Sequence, residues 1–312
     1  MSMNTNQARV TDPILSQIAL GYTNSEFIGH ELFPVVPIKT RGAKVLKFGK
    51  QSFRQINAQR APGTDKKRIT VGIETDTVVM TQDALEGIVP IENAQEAATI
   101  PKVNLGQEAV LDVMDILLLN REIDCATIAQ NTANYANNNK MTLAGAAKWS
   151  DDGSNPEKDI ADAREAVRTS IGRYPNKLTL SADTYAALCF HPKIVERFKY
   201  TSGDSVTEKM LARLFKVEKV VVGKAIYLPE NAADDATSID IWAKSAILAF
   251  VPTIVRSRRS PSYGYNYTLI GHPDVKKPYF WQPSDCWVYP VTHECGPQLT
   301  SSEAGFLINQ AV

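Results

Sequence analysis

Between Lys102 and Asn137 the chain reads KVNLGQEAVLDVMDILLLNREIDCATIAQNTANYAN, with no proline and a single early glycine, Gly106. At about 1.5 Å per residue, one helix over this stretch would be on the order of 50 Å long, against an average of about 11 or 12 residues in globular proteins. Both ends are marked. Asn104 and Gln107 have the form of a capping box, and Asn134, Asn137, Asn138 and Asn139 suit a left-handed stop. On a 3.6-residue wheel the apolar residues fall into two stripes. Val110, Val113, Met114, Leu117 and Ile128 make the first; Leu105, Ala109, Ile116, Leu119, Ile123 and Ala126 make the second. Asp112, Asp115, Glu122 and Asp124 lie between and beside them, and from Ile116 to Leu119 the pattern is apolar all round. This pattern predicts a spine lying between two bodies of packed structure, although a central helix of an α/β enzyme has the same signature.

Composition sets the limits. The 312 residues are 44% hydrophobic, enough to bury the core of one large or two linked domains. Lys plus Arg and Asp plus Glu are equal at 34 each, so net charge gives no argument for a dedicated nucleic-acid binder. No apolar run reaches the length of about 18 residues that a membrane span needs, and the polar opening MSMNTNQARVTD has no signal-peptide core. A soluble chain made in the cytoplasm, with no membrane partner, is expected. Cys125, Cys189, Cys286 and Cys295 are scattered, as reduced and mostly buried thiols would be.

Residues 1–40 read as an arm. DPILSQIALGYTNSEFIGHELFPVVPI mixes short apolar groups with Pro13, Gly21, Gly29, Pro34 and Pro37, leaving room for no long element. Such a segment buries its apolar side chains by lying along something else. ILSQIALGYTNSEFIGHELFPVVPI resembles the opening of tailed-phage major capsid proteins, where an arm followed by a segment like LFP-x-VPV leads into an extended hairpin.

Residues 41–92 carry short runs of period-two alternation on either side of a turn at Ala61-Pro62-Gly63-Thr64. They predict a long twisted β-hairpin with segregated charge. From Lys39 to Arg60 there are seven basic residues (Lys39, Arg41, Lys44, Lys47, Lys50, Arg54, Arg60) and no acid. From Glu74 to Glu96 there are six acids (Glu74, Asp76, Asp83, Glu86, Glu92, Glu96) and no base. A nucleic-acid contact, a solvated edge and a charged seam against another subunit are the three readings of this pattern. The seam reading makes Lys44, Lys47, Lys50, Arg54, Arg60, Glu74 and Asp76 candidate inter-subunit contacts, with Asp112, Asp115 and Glu122 of a neighbouring spine as their partners. In the family that the chain resembles, this position holds a loop lying over the next subunit.

Beyond the spine, Asn155 before Pro156, with Glu157 and Asp159 following, is an N-cap and first turn. Asp151, Asp152, Ser154 and Asn155 lack the spacing of a calcium loop. Residues 157–256 alternate short helices and strands, with caps expected at Ser181 and at Ser205 with Glu208. They predict an α/β unit, which the resemblance makes the axial domain. From 257 to 312 the chain is rich in aromatics and prolines, and Tyr263, Tyr265 and Tyr267 alternate along a strand. With Arg256, Arg258 and Arg259 nearby, single-strand nucleic acid is one reading and sheet-face packing the stronger one.

No catalytic constellation is present. His293 and Cys295 lack further zinc ligands, and the nucleotide, metalloprotease and hydrolase signatures are missing. The expectation is therefore no enzyme, no metal and no cofactor. The resemblance implies an α+β chain with the Hong-Kong-97-type capsid fold: arm (1–40), extended hairpin loop (41–92), peripheral domain with spine helix (93–156), axial domain (157–256) and return to the β-rich peripheral domain (257–312). It further implies a structural protein of the virion capsid, assembling in the host cytoplasm as hexamers and pentamers into an icosahedral shell around double-stranded DNA, without sequence specificity. A scaffold, either a separate scaffolding protein or a segment already removed, a portal and decoration proteins would be its partners. An encapsulin-like nanocompartment shell and an enzyme of unknown chemistry are the alternatives.

Overall fold

The computed structural model describes residues 11–46, 75–97, 104–199, 206–233, 235–252 and 261–312, with isolated positions between 55 and 68. The chain opens with α1 (Pro13–Gly21), α2 (Gly29–Leu32) and β1 (Val35–Ile38). It continues through β2 (Gly42–Leu46), β3 (Thr75–Val79), β4 (Thr81–Pro90) and α3 (Ile91–Ala97) to the spine, α4 (Leu105–Gln130). Asn104 caps the spine as the sequence predicts, its side chain accepting the Gln107 N–H at 3.3 Å. The far end is earlier than expected. Asn131 is extended (φ −73°, ψ 111°) and its side chain accepts the Ala133 N–H, so a short 3-10 turn over Thr132–Asn134 replaces the left-handed stop. The helix has 26 residues, about 39 Å.

The spine packs against β4 and the long strand β14 (Cys286–Leu299), and it also meets α1 and α2. Val110, Met114, Leu117, Leu118, Cys125, Ala126 and Ala129 are buried. Ile116 is 49% exposed, so the apolar stretch around it is not enclosed on all sides. Gly87 explains the close approach of β4, because a Cβ there would stand 2.8 Å from the Ala109 carbonyl oxygen. At Gly106 a side chain would collide with the Tyr289 ring.

The six-stranded sheet is built from β1, β11 (Gly264–Leu269), β14 and β12 (Asp274–Val275) in that order, with β4 and β13 (Tyr279–Trp281) also paired to β14. β4 runs antiparallel to β14 from Thr81↔Cys295 to Pro90↔Cys286. It therefore belongs to this sheet and not to the hairpin, which at its described end is β2 paired with β3, from Gly42↔Val79 to Leu46↔Thr75. The 41–92 boundary drawn from sequence is too long by β4, whose buried Val89 ties it to the sheet layer.

The second sheet has the order β5 (Lys140–Thr142), β15 (Gly305–Asn309), β10 (Ala246–Ala249), β6 (Lys177–Ser181) and β7 (Lys219–Gly223). Around it lie α5 (Pro156–Ile171), α6 (Ala182–Phe190), α7 (Pro192–Phe198) and α8 (Glu208–Leu214), with a small pair of strands, β8 (Ile226–Tyr227) and β9 (Ile239–Asp240), alongside. Caps are at Asn155, with Pro156 in the first turn, and at Ser181, and α5 ends on Gly172 at φ 72°. α8 is capped by Thr207, not Ser205: the Thr207 side chain accepts the Met210 N–H, and Ser205 lies outside the described residues. Two strands of this sheet, β5 and β15, come from outside the 157–256 segment. The C-terminal strand thus crosses from the β-rich layer into the α/β layer, because Phe306, Leu307 and Ile308 need burial that an exposed return strand would not give. One continuous apolar core joins arm, spine and this sheet.

Candidate assembly surfaces

The root of the hairpin is fixed by one ion pair. Arg41, just before β2, donates from Nε to Glu294 Oε2 at 2.8 Å and from Nη2 to Oε1 at 2.7 Å. Arg41 is largely exposed, whereas Glu294 on β14 is 1% exposed. The Arg41 hydrogen bonds hold the Glu294 carboxyl below the usual carboxylate range. Beside this pair, Val78 and Met80 pack on Tyr265 and Tyr267 in a small separate core. The hairpin therefore leaves the sheet from a rigid base.

Above that base the candidates are unevenly placed. Lys44 on β2 and Arg60 are exposed. Asp76 lies on β3 opposite Val45 in the strand register. Lys47, Lys50, Arg54 and Glu74 lie outside the described residues. Of the remaining acids, Asp83 and Glu86 are on β4, and Glu92 and Glu96 on α3, so this part of the acidic block sits on the sheet and the helix after it. The Glu86 carboxylate accepts the Tyr279 hydroxyl at 3.3 Å.

On the spine, Asp112 is exposed. Asp115 is half-buried, accepting the Asn24 side-chain amide at 3.0 Å; its hydrogen bond to the Tyr22 hydroxyl is the main reason that the tyrosine is pushed up to about 12. Glu122 is a correction. It is 1% exposed and accepts the backbone N–H groups of Ile28 at 2.9 Å and Gly29 at 2.8 Å, together with the Trp242 indole N–H at 2.8 Å. Its carboxylate is occupied inside its own subunit. The sequence contains a sign of this: Val110, Met114, Leu118, Glu122 and Ala126 recur every four residues along the buried stripe.

Two further features escaped the sequence. Glu31 on α2 accepts Lys177 Nζ at 2.6 Å and Lys219 Nζ at 2.5 Å, tying the arm to β6 and β7. Exposed apolar side chains also lie on the outside, at Phe190 (84% exposed), the last residue of α6, and along β13. By contrast, Tyr263, Tyr265 and Tyr267 are buried, which removes them as a stacking platform for bases. Among the described residues no three His, Cys, Asp or Glu side chains converge as metal ligands.

Comparison with known proteins agrees with this architecture. The capsid of cyanophage P-SCSP1u shares the fold at a TM-score of 0.56 and 12% identity, over 93% of this chain and 90% of that one. The crystal structure of a phage-related protein from Bordetella bronchiseptica RB50 has a TM-score of 0.84 at 40% identity, covering 98% of this chain and 99% of the other. Residues 132–257 match the family model of phage major capsid protein E. The major capsid protein of Burkholderia phage BcepMu is 36% identical over 309 residues, 97% of either chain. The fold is the Hong-Kong-97-type capsid fold. The chain belongs to the phage major capsid proteins, structural components of the virion capsid that associate with copies of themselves.

Proposed function

We propose that this chain forms the head of a tailed phage, assembling in the bacterial cytoplasm as hexamers and pentamers into an icosahedral shell around double-stranded DNA. The division of labour is arm, hairpin, peripheral sheet with spine, and axial unit. The observation that carries the proposal is the hairpin root: Arg41 is clamped to Glu294, while the basic limb beyond it presents Lys44 to the outside. Lys44, Lys47, Lys50, Arg54 and Arg60 of one subunit meet acids of the next, with Asp112 the exposed acid on the spine and Asp115 a partial contributor. DNA is held without sequence specificity, and a separate scaffolding protein, a portal and decoration proteins complete the head. This role involves no reaction and no cofactor.

A nanocompartment shell with the same fold is the weaker reading, because the sequence relationship to a phage major capsid protein extends over 97% of the chain. The test is to purify assembled particles, image them by negative stain and measure nuclease protection. DNA-filled shells with a portal vertex support the proposal. Shells filled with a protein cargo and lacking a portal, or monomers at high concentration, overturn it.

A further inference from the structure

The parallel pair β6 and β7 has chemically opposite ends. Its register runs from Lys177↔Lys219 to Ser181↔Gly223, so the two ends stand about 13 Å apart. The segment entering at Lys177 is rich in arginine, and the segment leaving from Gly223 is acidic.

At the entry end, three arginines and one acid fall between Ala163 and Pro175. The Arg164 guanidinium lies over the Tyr174 ring, 4.8 Å from its centroid; Arg168 approaches the same ring at 5.9 Å, and Arg173 covers the Phe250 ring at 5.4 Å. Tyr174 is 47% exposed, and Arg168 and Arg173 are exposed. Glu165 steadies the patch by accepting Arg168 and the Tyr174 hydroxyl. Stacking on a ring holds a guanidinium flat and leaves its N–H edge for a carboxylate, so less freedom is lost on binding. At the exit end stands the ribbon of β8 and β9. Residues 225–243 contain no basic side chain, and Glu230, Asp235 and Asp240 are exposed. Ile226, Leu228 and Ile239 of the same segment are 54%, 45% and 46% exposed, which adds apolar surface to the acid.

We propose that the arginine patch of one subunit docks on the acidic ribbon of a second copy, head to tail. The two surfaces differ and lie at opposite ends of the β6 and β7 pair, so the contact is heterologous and, repeated around an axis, closes a ring. A nucleic acid would satisfy the arginines and leave the ribbon uncovered, whereas a second copy satisfies both surfaces with one contact. Tyr174 offers the apolar ring that the ribbon's isoleucines and Leu228 need. The inference rests on the ring arrangement proposed above and adds the surfaces that close it.

Cross-linking tests it directly. Thr169→Cys beside the patch and Ser238→Cys on the ribbon, both at exposed positions, are combined in one full-length chain and treated with a short bis-maleimide. Wild type and each single variant are the controls. The expected product of the combined chain, in particles and in concentrated subunits, is a ladder of covalent oligomers that ends at the hexamer; the controls stop at or below the dimer. In the same background, Arg168→Glu with Arg173→Glu should lower the ladder yield about tenfold. Adding Glu230→Arg with Asp235→Arg should restore it, with circular dichroism as the folding control throughout. No ladder from the combined chain overturns the proposal. A ladder that ignores the reversals also overturns it, as do reversals that release bound DNA while the ladder persists. Ladders from a chain that never closes shells would keep this contact and overturn the head assembly instead.

Discussion

The Trp242 indole donates its N–H to Glu122 Oε1 across a sequence separation of 120 residues, at 2.8 Å. The same carboxylate receives the N–H groups of Ile28 and Gly29 at the start of α2. One buried side chain on the spine thereby joins the arm and the segment leading into β10. A Cβ on Gly29 would stand 2.7 Å from Glu122 Oε2, which shows how closely the arm is drawn in.

Glu122→Ala removes the acceptor and leaves three buried donors without a partner. A loss of about 3–5 kcal/mol is expected in denaturant unfolding of unassembled subunits. Glu122→Gln keeps one acceptor oxygen and should lose less. Equal stability of Glu122→Ala and wild type would contradict the role assigned to this carboxylate.

Leu117 is 1% exposed in the middle of the spine. Leu117→Asp places a charge there without a counter-ion, a change expected to cost more than about 4 kcal/mol. The outcome should be insoluble or unassembled protein, read as the soluble fraction and the particle yield. Ile116→Asp, one residue away on the half-open face, should be far milder for folding.

Glu31 gives the arm a dependence on acid. Burial alone would raise its carboxyl, but the hydrogen bonds from Lys177 and Lys219 prevail and bring it from 4.5 to about 2. A carboxylate lowered on folding stabilises the fold at pH above its unfolded value, and that contribution is lost as pH falls towards the folded one. Stability attributable to Glu31 should therefore be full above about pH 5 and decline towards about pH 2. Glu31→Gln should flatten the pH dependence of unfolding across this window. An unchanged slope would show that the two lysines hold the arm by packing alone.

Cys125, Cys286 and Cys295 are buried and unpaired, and Cys189 is half-buried. Burial pushes the Cys125 thiol well up and that of Cys295 to about 11, so neither forms a thiolate near neutral pH. Intact particles should run as monomers on non-reducing denaturing gels, provided that free thiols are blocked on unfolding. Ladders that collapse with reductant would mean covalent links between subunits.

Local chemistry was the legible part of the sequence. Asn104, Asn155 with Pro156, and Ser181 each satisfy orphan N–H groups within a few residues, so a short window contains cause and effect. Partners distant in sequence were not legible. Thr81–Pro90 follows the hairpin pattern without a break in the sequence, and its pairing with β14, some 200 residues on, shows that it is part of the six-stranded sheet. Glu122 read as surface charge because helix acids commonly are, and its donors lie 93 to 120 residues away. Asn131 ended the spine early because its side chain took the Ala133 N–H, a competition that a wheel does not display.

The charge of the hairpin leads to the last prediction. Arg41 is occupied by Glu294 within the subunit, so the seam rests on Lys44 and the basic residues beyond it. Were the limbs to neutralise only each other, assembly would not respond to their charge. Asp83, Glu86, Glu92 and Glu96 belong to β4 and α3, and of the acidic block Asp76 is the one on a described hairpin strand. Each exposed pair with a neighbour contributes about 0–1 kcal/mol, but repetition at every subunit contact makes the sum matter. Salt at about 1 M shortens the screening length to about 3 Å and should weaken it. Replacing Lys44, Lys47 and Lys50 together by Glu should give folded subunits with a reduced fraction sedimenting as shells. Asp112→Lys on the exposed spine face should restore part of that fraction, whereas changes at buried Glu122 should not. Shell yields equal to wild type across the whole salt series would leave this charge as a solvated edge.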